Sequence, residues 1–270
     1  MISKRKVLLK IFYDGQYYHG LAYQTDKNSV SGEILKVLKS INLIKSIDES
    51  EIEYAGRTDS GVSAVGMVIS IFLYISENMK IDLILNDKLP YSIRILGYCY
   101  VDDLFSARFN CILREYRYYF NKIDTKKMKE CVEKIKNIKN YKYLCKRSKE
   151  KEFKKKNILM DDSYYNRNIE YINIVEEKNI NYLEIGGRSF LHNMVRKIFY
   201  LISNGDMNII DKLIENKEVQ IGTAEPYPLV FYNAKYNEEI KWIVSERTKE
   251  ENKKIKERKN IEFEKYKFLN

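Results

Sequence analysis

The same succession of elements appears twice along this chain, and it restricts the fold more than any other feature. Each half runs strand, helix, strand, strand, helix, strand, judged by apolar periodicity and by turn residues between the runs. The first set is Arg5–Tyr13, a helix entered at Ser29 with Val30, Ile34, Leu35, Leu38 and Ile41 at helical spacing, Glu51–Tyr54, Val65–Ile75, a short helix from Ile81 to Leu89 that stops at Pro90, and Ile93–Val101. The second set is Cys111–Asn121, Asp124–Ile138 with Met128, Cys131, Ile135 and Ile138 along it, Tyr164–Val175, Tyr182–Ile185, Phe190–Ile202 with Gly205 as its stop, and Leu229–Tyr236. A further helical turn is expected over Ile209–Ile214. This order is that of the split βαβ unit. The expectation is an α+β protein of two ferredoxin-like halves, with an extended mixed or antiparallel sheet, helices on one face and a central cleft. The halves are placed at residues 1–104 and 105–244, with residues 245–270 a charged terminal helix or tail.

Between the second and third strands of the first half lies Tyr54-Ala55-Gly56-Arg57-Thr58-Asp59-Ser60-Gly61-Val62-Ser63-Ala64. Gly56 and Gly61 are expected to take positive φ and so to allow a tight loop that carries Arg57, Thr58 and Asp59. A carboxylate held beside a guanidinium suits a group that must stay ionised. The same residues also suit a polar β-turn in which Asp59 bonds its own backbone. Gly56 and Gly61 have phosphate-loop spacing, but Val62 stands where that loop requires lysine, so an ATP site is excluded.

The 270 residues carry 48 Lys and Arg against 38 Asp and Glu, a formal charge of +10. That excess favours a polyanionic partner, nucleic acid first, although the richness in Lys, Ile, Asn and Tyr also fits a plain coding bias. No apolar run nears the ~20 residues of a membrane helix, and no apolar leader follows Met1, so a soluble, cytoplasmic protein is expected. Cys99, Cys111, Cys131 and Cys145 form no C-x-x-C pair, and His19 and His192 are distant from them, so free thiols and no metal site are expected. Lys146–Lys156 is almost entirely charged and reads either as a solvated insertion or as a finger that touches phosphates. Ser245–Lys267 reads as a charged helix with few apolar anchors (Ile255, Ile261, Phe263, Tyr266), a solvated appendage.

The segment Gly56-Arg57-Thr58-Asp59-x-Gly61-Val62-x-Ala64 resembles the signature of the tRNA pseudouridine synthase I (TruA-like) family. Other stretches resemble the family in its own order: Tyr13-Asp14-Gly15 with Gly20, Ser29-Val30 with Glu33, Phe105-Ser106-Ala107-Arg108-Phe109, Arg114-Glu115-Tyr116-Arg117-Tyr118, Gly187 through Arg196, and Ala224-x-Pro226 through Leu229. The resemblance covers about Val7 to Tyr236. Two departures bear on substrate range rather than on chemistry: Ser63 replaces a usual histidine, and Leu21-Ala22-Tyr23-Gln24 replaces the family's Trp-Gln-x-Gln.

The resemblance implies isomerisation of uridine to pseudouridine in the tRNA anticodon stem-loop (family positions 38–40), without metal or other cofactor, by a homodimer that one tRNA spans. Asp59 would be the catalytic nucleophile, or the base that starts elimination through a glycal. Arg196 would pair with it, Tyr116 would stack on the flipped uracil, and Arg57 would help extrude the base. Ile185 or Leu191 would wall the pocket. Arg94, Arg108, Arg114, Arg167 and Arg188 are candidates for phosphate contacts, which position RNA without reading its sequence. A sister synthase acting on other tRNA or small nuclear RNA sites, and a non-catalytic RNA-binding protein, are the competing readings.

Overall fold

The computed structural model describes residues 1–121, 124–146, 161–177 and 180–265. The charged stretch 147–156 lies outside the described residues. Among those described, helices accompany eight strands, antiparallel in most pairs and parallel in one, which makes the fold α+β. The chain divides into two compact units: Met1–Glu115 together with Leu229–Asn270, and Tyr116–Pro228.

In the first unit, β1 (Ser3–Tyr13) lies between β3 (Ser63–Ile75) and β4 (Ile93–Tyr100) and is antiparallel to both, with Val7 opposite Ile71 on one side and Tyr100 on the other. Central placement explains its composition. Val7, Leu8, Leu9, Ile11, Phe12 and Tyr13 are all buried, so both faces of the strand are covered and the run is nearly continuous rather than alternating. The short β2 (Glu53–Tyr54) pairs with β3, Glu53 opposite Ser70. On the other flank β8 (Leu229–Tyr236) runs parallel to β3, Ser63 opposite Val230. Helix α1 (Val30–Ser40) is capped as its sequence foretells: the Ser29 side chain accepts from the Gly32 amide, and Ile34, Leu35 and Leu38 are buried. Helix α2 (Ile81–Asn86) ends before Pro90, and Asn86 bonds both ways to the Ile95 backbone at 2.9 and 2.8 Å.

In the second unit, strand β5 (Cys111–Phe120) enters from the first unit at Tyr116. Helix α3 (Thr125–Ile135) follows, capped by Asp124, with Met128, Cys131, Val132 and Ile135 buried. Strands β6 (Ile169–Glu176) and β7 (Asn181–Gly187) form an antiparallel pair. The residues before β6 are a short 3-10 turn, Asp162–Tyr165, rather than the start of the strand expected from Tyr164. Helix α4 (Met194–Asn204) starts four residues later than the apolar pattern from Phe190 suggests. Asn193 at φ +62° breaks the helical path there, and Gly205 ends the helix in the left-handed region. Helix α5 (Met207–Ile214) is capped by Asp206, which accepts from the Ile209 amide at 3.1 Å.

The C-terminal helix α6 (Glu246–Lys265) corrects one expectation. Its first turns are docked within the first unit rather than solvated. Ile243 exchanges two backbone bonds with Tyr98, at 2.7 and 3.0 Å. The fully buried Asp82 of α2 accepts from the Ser245 amide at 2.7 Å and the Ser245 hydroxyl at 2.9 Å, so one helix caps another. Arg247 pairs with Asp87 at 3.0 Å, and the Asn252 side-chain amide donates to the Leu96 carbonyl at 3.0 Å. Polar groups at its start hold this helix to the first unit. The compact units therefore run differently from a division at 104/105 and 244/245: residues 229–265 pack with the N-terminal segment. Asp82→Ala removes both acceptors and is expected to cost ~1.5–3 kcal/mol, the range for bonds to a charged group. Urea unfolding and faster tryptic cleavage within 246–259 would record it.

Candidate active site

The loop after β2 is tied down on several sides within the first unit. The Ala55 amide donates to the Val68 carbonyl at 2.8 Å, and the Ala55 carbonyl accepts from Arg114 Nε at 2.6 Å. Beyond Arg57, the Val62 amide donates to the Asp59 carbonyl at 3.2 Å, which closes a turn with Gly61 at φ +83°. Only glycine adopts that angle without strain. Gly56 does not share it: its φ is not positive, contrary to expectation, and one glycine suffices for the turn.

The loop that follows β1 supports this turn from below. Gly15 packs so closely that an added Cβ would sit 2.1 Å from the Val62 carbonyl oxygen. The Gly15 amide donates to Ser63 Oγ at 3.0 Å. The serine at the position of the family's usual histidine thus has a structural task. Tyr18 offers its carbonyl to the Gly61 amide (3.4 Å) and the Ser60 hydroxyl (3.3 Å). In the interior, the hydroxyls of Tyr13 and Thr58 are 2.7 Å apart. Thr58 is therefore turned inward, while its neighbours Arg57 and Asp59 are exposed and half-buried respectively. The loop presents a carboxylate from a backbone with little freedom, which is what positioning for reaction requires. Tyr13→Phe leaves Thr58 without this partner and is expected to cost about 1–2 kcal/mol in stability, read by thermal unfolding, with slower turnover as the loop loosens.

Tyr116, Arg188, Arg196, Ile185 and Leu191 belong to the second unit. The Tyr116 ring is buried and meets the Phe190 ring edge-on, with centroids 5.2 Å apart. Arg196 on α4 is half-buried. Its Nε donates to the Ala224 carbonyl at 2.7 Å, and its guanidinium reaches Asn193 Oδ1 at 3.3 Å. It is not an exposed helix arginine. Ile185 is fully buried in β7, and Leu191 is half-buried before α4.

The five arginines expected to touch phosphates divide by burial. Arg108 and Arg188 are exposed, Arg108 with its guanidinium 5.1 Å from the Phe109 ring centre. Arg167 is half-buried and donates to the carbonyls of Tyr164 and Asn166 at 2.7 and 2.6 Å. Arg94 and Arg114 correct the expectation. Arg94 is 5% exposed and donates to the carbonyls of Leu89, Pro90 and Ile93, at 3.0, 2.8 and 2.8 Å. Arg114 is 9% exposed and donates to Ala55, Cys111 and Arg108 carbonyls, at 2.6, 2.9 and 2.6 Å. Both organise loops instead of facing a polyanion. The anchoring roles of Tyr18, Thr58 and Ser63, which the sequence did not disclose, rest on contacts between segments more than 40 residues apart, which no local pattern displays.

Among the described residues no three His, Cys, Asp or Glu side chains gather as a metal ion would need, and no helix is long and apolar enough to cross a membrane. The four cysteines are free thiols, and burial pushes those of Cys99, Cys111 and Cys131 up from their ordinary range.

Residues 120–237 match the family model described as tRNA pseudouridine synthase. The tRNA pseudouridine synthase A of Methanosarcina acetivorans is 30% identical over 247 residues, spanning 88% of this chain and 87% of that protein. That of Thermococcus sibiricus is 33% identical over 249 residues, spanning 88% of this chain and 87% of that protein. The human tRNA pseudouridine(38/39) synthase is 30% identical over 285 residues, spanning 93% of this chain but only 59% of that protein. With this identity maintained over most of its length, and with the aspartate loop inside the shared span, the chain belongs to the tRNA pseudouridine synthase family.

Proposed function

We propose that this chain isomerises uridine to pseudouridine in the anticodon stem-loop of tRNA, with Asp59 as the group that starts the reaction. The observation that carries the reading is the rigid presentation of Asp59 on a loop closed by Gly61 and anchored at Thr58, in a chain of this family. The N1–C1′ glycosidic bond breaks, the uracil turns, and a C5–C1′ bond forms. C5 loses its proton and N1 gains one, so the atoms balance without a co-reactant. A carboxylate can serve as nucleophile at C1′ or as the base that begins elimination. Arg57, Tyr116 and Arg196 are the supporting groups in this reading, and exposed Arg108 and Arg188 are its phosphate contacts. The anticodon stem-loop is favoured by the mammalian relatives, whose names specify positions 38/39. The same proposal includes a homodimer working in the cytoplasm, and halves of split-βαβ type. The flanking of β1 by β3 and β4, with β2 outside β3, supports the latter for the first half.

Incubation of the purified chain with unmodified total tRNA, followed by carbodiimide-dependent reverse-transcription stops, tests the proposal. Stops in the anticodon stem-loop are expected. Stops elsewhere would move the protein to a sister activity. Retained tRNA binding without any stop would leave an RNA-binding protein and sink the role given to Asp59.

A further inference from the structure

Beyond the aspartate loop, the first unit carries an aromatic side chain that the reaction does not use. Tyr91 is 81% exposed and sits at the tip of a turn closed by the Ile93 amide donating to the Pro90 carbonyl at 2.9 Å. Exposed tyrosines are ordinary, but the support beneath this one is not. The Arg94 guanidinium lies 4.2 Å from the centre of the Tyr91 ring. It is itself buried, with donors committed to the three carbonyls of Leu89, Pro90 and Ile93. A cation held this firmly against one side of the ring fixes its orientation. The rest of its surface remains in water.

This turn is joined to the aspartate loop. The Ser92 hydroxyl is 2.7 Å from the Tyr18 hydroxyl, and the Ser92 carbonyl accepts from the Asp14 amide at 2.8 Å. Tyr18 in turn offers its carbonyl to Ser60 and Gly61. Tyr17, 61% exposed, and Tyr91 each stand one residue from the Tyr18–Ser92 bond.

We infer that Tyr91, backed by Arg94 and accompanied by Tyr17, is a stacking shelf for an unpaired nucleobase of the RNA substrate; the inference rests on the RNA reading given above. A pre-set ring loses little freedom when a base settles on it. Base–aromatic stacking tolerates any base because every base has a π-face, so the shelf adds affinity without choosing a sequence. A continuous duplex offers no free base face, so the shelf takes a loop or a splayed nucleotide.

The test is anisotropy titration of the full-length chain with a labelled unmodified tRNA and with a labelled blunt RNA duplex, over a salt series. Tyr91→Ala is expected to weaken tRNA binding roughly 5- to 100-fold, from stacking worth ~1–3 kcal/mol per base. Duplex binding and the salt slope should stay as in wild type, because no phosphate contact is lost. Tyr91→Phe, which keeps the ring, should remain within about twofold of wild type by the same reasoning. Unchanged tRNA affinity in Tyr91→Ala would overturn the shelf, as would equal loss on the duplex, equal loss in Tyr91→Phe, or a change of oligomeric state instead of affinity. Selective loss by Tyr91→Ala in a chain that forms no pseudouridine would retain the shelf and remove the enzymatic reading. Pseudouridine formation with tRNA affinity indifferent to Tyr91 would do the reverse.

Discussion

Asp59→Ala is expected to lower pseudouridine formation by at least roughly 10³-fold, the scale on which removing a nucleophile acts. Affinity for tRNA should stay within about threefold of wild type, since a single carboxylate adds nothing to the attraction of a polyanion. The separation follows from the site. Asp59 is half-buried on a loop whose shape is held by the Tyr13–Thr58 contact, the Gly61 turn, and the packing of Gly15 against Val62 and Ser63. Truncation there leaves the frame standing. Asp59→Asn, with nearly the same volume, should be as inactive, because an amide neither attacks C1′ nor takes a proton. Single-turnover assays on unmodified tRNA would measure the loss and filter binding the retention. An Asp59→Ala enzyme within tenfold of wild type would transfer the chemistry to another residue.

Arg114→Met is expected to destabilise the protein by about 3–5 kcal/mol, because three carbonyls lose a donor at roughly 1–2 kcal/mol each. They belong to Ala55, Arg108 and Cys111, so one side chain ties the entry to the aspartate loop to the segment before β5 and to that strand's first residue. Arg114→Lys should recover only part of this, since an ammonium cannot spread donors across three directions as a planar fork does. Denaturant unfolding gives the stability difference. A loss below about 1 kcal/mol would mean that water replaces the guanidinium.

Arg114 also shows where the sequence stops being legible. Within Arg114-Glu115-Tyr116-Arg117-Tyr118 it looks like any strand arginine, and charge alone assigns it to solvent and phosphate. One of its three acceptors, the Ala55 carbonyl, comes from 59 residues away. Arg94 is buried as well, although its three acceptors lie within five residues of it, and the Tyr13–Thr58 contact joins residues 45 apart. What rests on local chemistry could be read directly. The unbroken apolar run of β1 marks a strand covered on both faces, Ser29 marks the start of α1, and Leu229–Tyr236 is a strand with the bounds its pattern gives. Gly61 marks the turn that bears Asp59, while Gly56 shows that a second glycine in a signature need not adopt a special angle. The docking of helix α6 is not legible in the sequence because its attachment is polar: Asp82 and Ser245 look like solvent-facing residues until they are seen together.

The first unit is assembled from both ends of the described chain, Met1–Glu115 and Leu229 onward, and this sets a schedule for its birth on the ribosome. By the time residue 115 has been translated, every strand that frames the Asp59 loop exists except β8, the parallel neighbour that pairs Val230 with Ser63. More than a hundred further residues, Tyr116–Pro228, must be synthesised before it arrives. Throughout that interval the start of β3, at Ser63 and Ala64, lacks its neighbour on that side, while β2 covers the strand only further along, at Ile69 and Ser70, and unpaired strand segments recruit other chains. The segment that carries Asp59 is therefore among the first to be made and among the last to be completed. A nascent polypeptide halted before Leu229 would lack the strand that pairs with Ser63 and Ala64 next to the Asp59 loop.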